Sequence, residues 1–137
     1  MKSVVNKEVA LVELELFVNK FLKKPIAFDK VEETYPDILE AIVDGFISFN
    51  EAGIPVLKLK DPIVSDAGNI MVSEVNFKTR IKPLTLASIA KGIDLKTDAL
   101  TLQLRMVSYI IGEEVQMLDK FERYDYDVIN QVATVFS

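Results

Sequence analysis

A mixed α+β fold is what this chain predicts, and three observations carry that expectation. Apolar residues recur at helical spacing in the first third, strict alternation appears between positions 54 and 81, and helical spacing returns to the end of the chain. The expected architecture is N-terminal helices, one β-hairpin and a C-terminal helical bundle. At 137 residues the chain is the size of one ordinary domain, with an N-terminal helical region over 1–53 and a hairpin-plus-helix region over 54–137.

The first helix is expected from Lys7 to Lys24. Leu11, Leu14, Val18, Phe21 and Leu22 follow the i, i+3, i+7 pattern, but Val9, Val12, Leu16 and Phe17 make other sides apolar too. Such an element must be buried on several sides or meet a partner. A second helix starts at Thr34 as the expected cap, with Pro36 in the first turn and Asp37 at the positive helix end. Ile38, Leu39, Ile42, Val43, Phe46 and Ile47 give it a continuous apolar stripe, and Asn50 to Gly53 closes the region in a turn.

In the hairpin, Leu57 and Leu59 alternate with Lys58 and Lys60, and Met71, Val75 and Phe77 share one parity on the return strand. Asp66-Ala67-Gly68-Asn69 supplies the turn, and Pro62, which cannot donate to a ladder, belongs at an edge or a bulge. A lone hairpin is marginal in water and has to pack on the helices or on another chain. Beyond it, Thr85 is expected to cap a short helix ending near Gly92. Asp98 is expected to cap a longer one, with Leu100, Leu104, Val107 and Ile111 on one face and Gly112 as its stop. Asp125 is the expected cap of a last helix that turns Ile129, Val132, Ala133 and Phe136 inward.

The chain has no cysteine and no histidine. Disulfides, thiolate or imidazole zinc sites and every Ser-His or Cys-His catalytic arrangement are thereby excluded. Its formal charge is −5, and the one short basic cluster, Lys20, Lys23 and Lys24, falls at a helix end where cations suit the dipole, so no nucleic-acid partner is expected. The stretch from Val9 to Leu22 carries Glu13, Glu15, Asn19 and Lys20 and has no cleavage-site pattern after it, so it reads neither as a signal peptide nor as a membrane span.

No motif reads as catalytic and no cofactor is expected. Asp37, Glu40 and Asp44 share one side of a helix and form the best case for a hard cation or an acid/base pair, against the simpler reading of a solvated face. Asp66 and Asn69 lack the glycine position and closing glutamate of a calcium loop. The acidic run Asp119, Glu122, Asp125 and Asp127 suits the start of the last helix, and the five glycines are too scattered for a phosphate loop. Tyr109, Tyr124 and Tyr126 read as core or edge aromatics.

From Ile54 onward the order of short motifs resembles a known family. "LKLKDP" at 57–62 closes a strand in proline, Arg80-Ile81-Lys82-Pro83-Leu84-Thr85 enters a helix, and "SYIIG" at 108–112 ends another. Leu118, Asp125, Ile129 and the closing Val132 to Phe136 complete the series. This resembles the tail assembly chaperones of contractile-tailed and related temperate phages. The likeness covers 54–137 and departs from the family pattern in the extra residue Leu84 before Thr85 and in Ser88 where an acidic residue is usual.

The resemblance implies a non-enzymatic protein of the host cytoplasm that binds the long helical tape-measure protein, keeps it soluble and helps tail-tube subunits assemble around it. A chain that binds amphipathic helices needs exposed apolar helical surface. We expect that surface along the first two helices, with Leu11, Leu14, Phe17, Phe21, Ile42 and Phe46 as contact residues and self-association as a further property. On this view Phe17→Asp with Phe21→Asp removes binding and keeps the fold. The rival reading is a structural tail component, a terminator or connector subunit assembling as a ring through hairpin edges.

Overall fold

The computed structural model describes residues 5–136. Its elements are α1 (Lys7–Phe21), α2 (Val31–Thr34), α3 (Pro36–Val43), β1 (Ile47–Phe49), β2 (Pro55–Val64), β3 (Ile70–Asn76), α4 (Pro83–Ile89), α5 (Ala99–Ile111) and α6 (Arg123–Phe136), with 3₁₀ turns at Phe28–Lys30 and Val115–Lys120. The α+β class is as expected. The antiparallel sheet, in the order β1-β2-β3, has one strand more than the expected hairpin.

The helix α1 begins where Asn6 Oδ1 accepts the Glu8 N–H at 2.7 Å, satisfying one of the unpaired donors of the first turn. It stops at Phe21, short of the expected Lys24, as Leu22 turns extended ahead of Pro25. The Asn19 amide then fastens the connector, accepting the Ile26 N–H at 2.9 Å and donating to the Ile26 carbonyl at 3.2 Å.

At α3 the expected cap is corrected. The Thr34 hydroxyl donates back to the Lys30 carbonyl inside α2, and Tyr35 holds the cap position without a capping side chain. The N–H groups of Asp37 and Ile38 instead donate to Gln131 Oε1 at 3.0 and 3.1 Å, while the Gln131 amide donates to the Asp37 carboxylate at 2.8 Å. A residue of α6 thus caps α3 from across the core. The expected stripe also ends early: Gly45 takes a φ of +81°, which only glycine adopts freely, and turns the chain out of the helix. Phe46 and Ile47 therefore leave α3, and Ile47 opens β1.

The turn after β1 is built by Asn50, whose Oδ1 accepts the N–H groups of Ala52 and Ile54 at 2.9 and 3.0 Å. Between β2 and β3 the expected turn forms at Asp66 to Asn69, closed by Ser65 N–H to Asn69 O at 2.8 Å. The strands run in register from Val56↔Asn76 to Lys58↔Glu74, then slip twice before Val64↔Ile70. Pro62 lies inside the first slip, a bulge as expected. The second slip leaves Met71 without a partner. The expected parity fails there: Met71 is exposed and Val72 is buried, while Val75 and Phe77 keep their inward direction.

Further along, Pro83 occupies the first turn of α4 after Lys82, and Thr85 does not cap it. Asp98 sits at the start of α5, but its carboxylate accepts the Asp94 N–H of the preceding loop. Leu100 is exposed, whereas Val107 and Ile111 of the expected face are buried and Leu104 is partly so. Gly112 ends α5 at a φ of +71°, as its position predicts.

Asp125 gives the largest departure. It lies within the first turn of α6, fully buried, and its two carboxylate oxygens accept the N–H groups of Lys60 and Asp61 at 2.9 and 3.0 Å. These are the donors that the β2 bulge takes out of the ladder. Ile129, Val132, Ala133 and Phe136 are buried as expected. They join α6 to α1, α3, α5 and β2. One hydrophobic cluster draws on both regions of the chain, from Ala10 to Phe136.

Candidate protein-binding surface

The expected contact residues lie mainly inside. Leu14 and Ile42 are fully buried and Phe17 is 3% exposed. Leu11, Phe21 and Phe46 are half-buried against the core. Phe17 and Phe21 belong to an aromatic group, with Phe17 5.5 Å from Phe49 and 5.6 Å from Phe136, and Phe21 4.9 Å from Phe136 between ring centroids. Phe46 stands edge-on to Tyr124 at 6.1 Å. Leu14 and Ile42 are core packing alone, whereas Phe17 reaches the surface as part of a shallow hollow and Leu11, Phe21 and Phe46 keep partial exposure.

The opposite side of α1 is the one that faces outward. Val9, Val12 and Leu16 are 51%, 48% and 66% exposed, at the i, i+3, i+7 spacing of a single helical stripe. With Ala10, Leu14, Phe17 and Val18 buried beneath it, α1 is apolar on two opposed faces, and only one is covered. The stripe runs into a shallow pocket of about 260 Å³ lined by Glu13, Leu16, Phe17, Lys20, Phe49 and Gly53. Lys20 closes its far side by donating to the Ala52 carbonyl. A regular stripe beside an apolar hollow is the form an amphipathic helix docks onto.

Two other apolar patches are exposed. Leu84, Leu95 and Leu100 surround α4, a helix with no buried residue, which Arg105 holds to α5 by donating to the Ile89 and Lys91 carbonyls. Val64, Ile70 and Met71 lie at the far end of the hairpin, where β3 is an outer strand.

The acidic groups lie around Tyr124 without forming a metal-holding cluster among the described residues. Asp37 is engaged with Gln131, Asp125 with the β2 backbone, and among the described residues no three carboxylates are grouped so as to hold a metal ion. Burial, followed by the charge of Asp127, raises the pKa of Asp37. Near them the Tyr124 hydroxyl is buried with no hydrogen-bond partner, and Lys60 Nζ sits 4.8 Å from its ring centroid. Burial first, then the charges of Asp44, Glu40, Asp125 and Asp37, push the Tyr124 phenol up to about 12 from 10.0.

A raised phenol favours the fold in its neutral form. Its contribution is intact below pH 10.0 and is lost as pH climbs through about 12. Tyr124→Phe is expected to remove the last step of a tyrosinate absorbance titration and to flatten the alkaline fall in melting temperature. A late step that survives in the variant belongs to another tyrosine.

Together, fold and surface define an α+β protein with an uncovered apolar helix face and, among the described residues, no cluster of side chains that could hold a metal ion. No family model matches the chain, and searches of curated proteins and of solved structures find no match either. Among the described residues no helix is long and apolar enough to cross a membrane.

Proposed function

We propose that this chain is a non-enzymatic, protein-binding assembly factor, a tail assembly chaperone of the phage type acting in the host cytoplasm on the tape-measure protein and, through it, on tail-tube subunits. The observation that carries the binding half of this reading is the Val9, Val12 and Leu16 stripe, three large apolar side chains in a row that no part of the described chain covers. The phage half rests on the motif order from "LKLKDP" to the closing Val132–Phe136 segment.

Co-expression with the long helical tape-measure protein tests both halves together. The expected result is a gain in soluble tape-measure protein, lost in Val12→Asp with Leu16→Asp. Both positions are exposed, so the double variant should fold with a stability within about 0.5 kcal/mol per site of the parent. Absence of any solubility gain with the parent chain contradicts the reading.

A structural tail component is the second reading, and one observation favours it. The β3 edge is unpaired and ends in exposed Ile70 and Met71, a surface on which a neighbouring subunit could add a strand. Mass spectrometry of purified particles separates the two, since an abundant copy in mature tails fits the component and not the chaperone.

A further inference from the structure

The solvent-facing stripe of α1 is bordered by carboxylates. On a helical projection Glu8 and Glu15 flank Val9, Val12 and Leu16 on one side, and Glu13 flanks them on the other, next to Lys20. None of these three glutamates forms an ion pair with another described residue, whereas Lys7 is paired with Glu32 at 2.8 Å. Lys20 is turned to the Ala52 carbonyl and the Phe21 ring. The result is an apolar strip about two turns long with free negative charge along both margins.

We infer that this face selects an amphipathic helix whose apolar stripe is edged by lysine or arginine. The inference rests on the protein-binding reading above and adds the charge of the partner. Apolar contact supplies most of the attraction, and the glutamate margins choose among helices of equal hydrophobicity by matching or repelling their flanking charges.

A second copy of this chain is the wrong occupant. Antiparallel pairing of two α1 helices through Val12 sets Glu8 of each against Glu15 of the other, and parallel pairing sets Glu8 against Glu13, with Glu15 meeting only a Lys20 already engaged by the Ala52 carbonyl. Both arrangements oppose carboxylates. A basic-edged helix meets the same margins with opposite charge, and its central apolar residue has the hollow between Leu16, Phe17 and Phe49 to enter.

Two synthetic helical peptides test this on the full chain by fluorescence anisotropy. Both carry leucines at i, i+3, i+4 and i+7; one has lysines at the flanking positions and the other glutamates. The lysine-edged peptide is expected to bind about five- to tenfold more tightly, from three exposed charge contacts, with the gap narrowing at ~0.5 M salt. Glu13→Lys with Glu15→Lys should reverse the preference, and circular dichroism checks that the variant is folded.

Equal affinity of the two peptides overturns the inference, even if a tape-measure protein is still solubilised. A preference that survives the double reversal places the basic partner elsewhere on the molecule and overturns it equally. Concentration-dependent dimerisation lost in Leu16→Asp names a second copy as the occupant and also rejects it. A peptide preference as expected, without any rescue of the tape-measure protein, keeps the inferred surface and discards the phage assignment.

Discussion

Asp125→Ala is expected to destabilise the protein by about 3–5 kcal/mol in urea unfolding, because two backbone N–H groups each lose a charged acceptor. The carboxylate is fully buried and holds Lys60 and Asp61, the two residues just before Pro62, where β2 bulges away from β3. Alanine leaves both donors without their carboxylate acceptor at a part-buried site. Asp125→Asn keeps one accepting oxygen but points an NH₂ at the other N–H, so it is expected to recover no more than about half of the loss. Hydrogen exchange at the Lys60 and Asp61 amides reads the same event locally. A cost below about 1 kcal/mol for alanine would show that those amides find another acceptor.

Phe17→Ala is expected to cost about 3–5 kcal/mol, and Phe17→Asp more, since an ionised group would then sit unpaired among Phe21, Phe49 and Phe136. Set against a typical domain stability of about 5–15 kcal/mol, the aspartate variant is expected to be largely unfolded at ordinary temperature. Phe17→Asp with Phe21→Asp therefore does not separate binding from folding. The neighbouring substitution does: Leu16→Asp lies on the exposed face and should leave the melting temperature nearly unchanged. Adjacent positions with opposite responses are the sharpest check that α1 is oriented as described. Similar effects at 16 and 17 would mean that the helix is turned differently.

Which face of α1 points inward was open to reading, and charge is the signal that resolves it. Glu8, Glu13 and Glu15 border the stripe of Val9, Val12 and Leu16, whereas Ala10, Leu14, Phe17, Val18 and Phe21 form a face whose one charged member, Lys7, stands at the helix start and pairs with Glu32. Desolvating a carboxylate is costly, so the carboxylate-free face with the larger aromatic side chains goes into the core. The apolar residue count alone does not tell the two faces apart, which is why the expected contact residues fell on the buried one.

The helices α1, α3, α4, α5 and α6, the Asp66–Asn69 turn and the irregularity at Pro62 were legible because each is set by local chemistry: apolar period, positive-φ glycine, missing N–H. The strand β1 was not, because Ile42, Val43, Phe46 and Ile47 continue a helical period across the point where Gly45 breaks it. The partners of Asp125 and Gln131 were hidden for another reason. A side chain that caps an element far along the chain has the same local sequence as one that caps its own helix.

The packing of Phe136 against Phe17 and Phe21 sets an order of events during synthesis. Until α6 has left the ribosome, the inner face of α1 lacks Phe136, the start of α3 lacks its Gln131 acceptor, and the β2 bulge lacks Asp125. The nascent chain therefore carries an α1 that α2 and α3 cover only in part, with its outer stripe bare, until α6 emerges. Removing the last turn of α6 should be felt far away in sequence, as a loosened α1 and not merely a frayed α6.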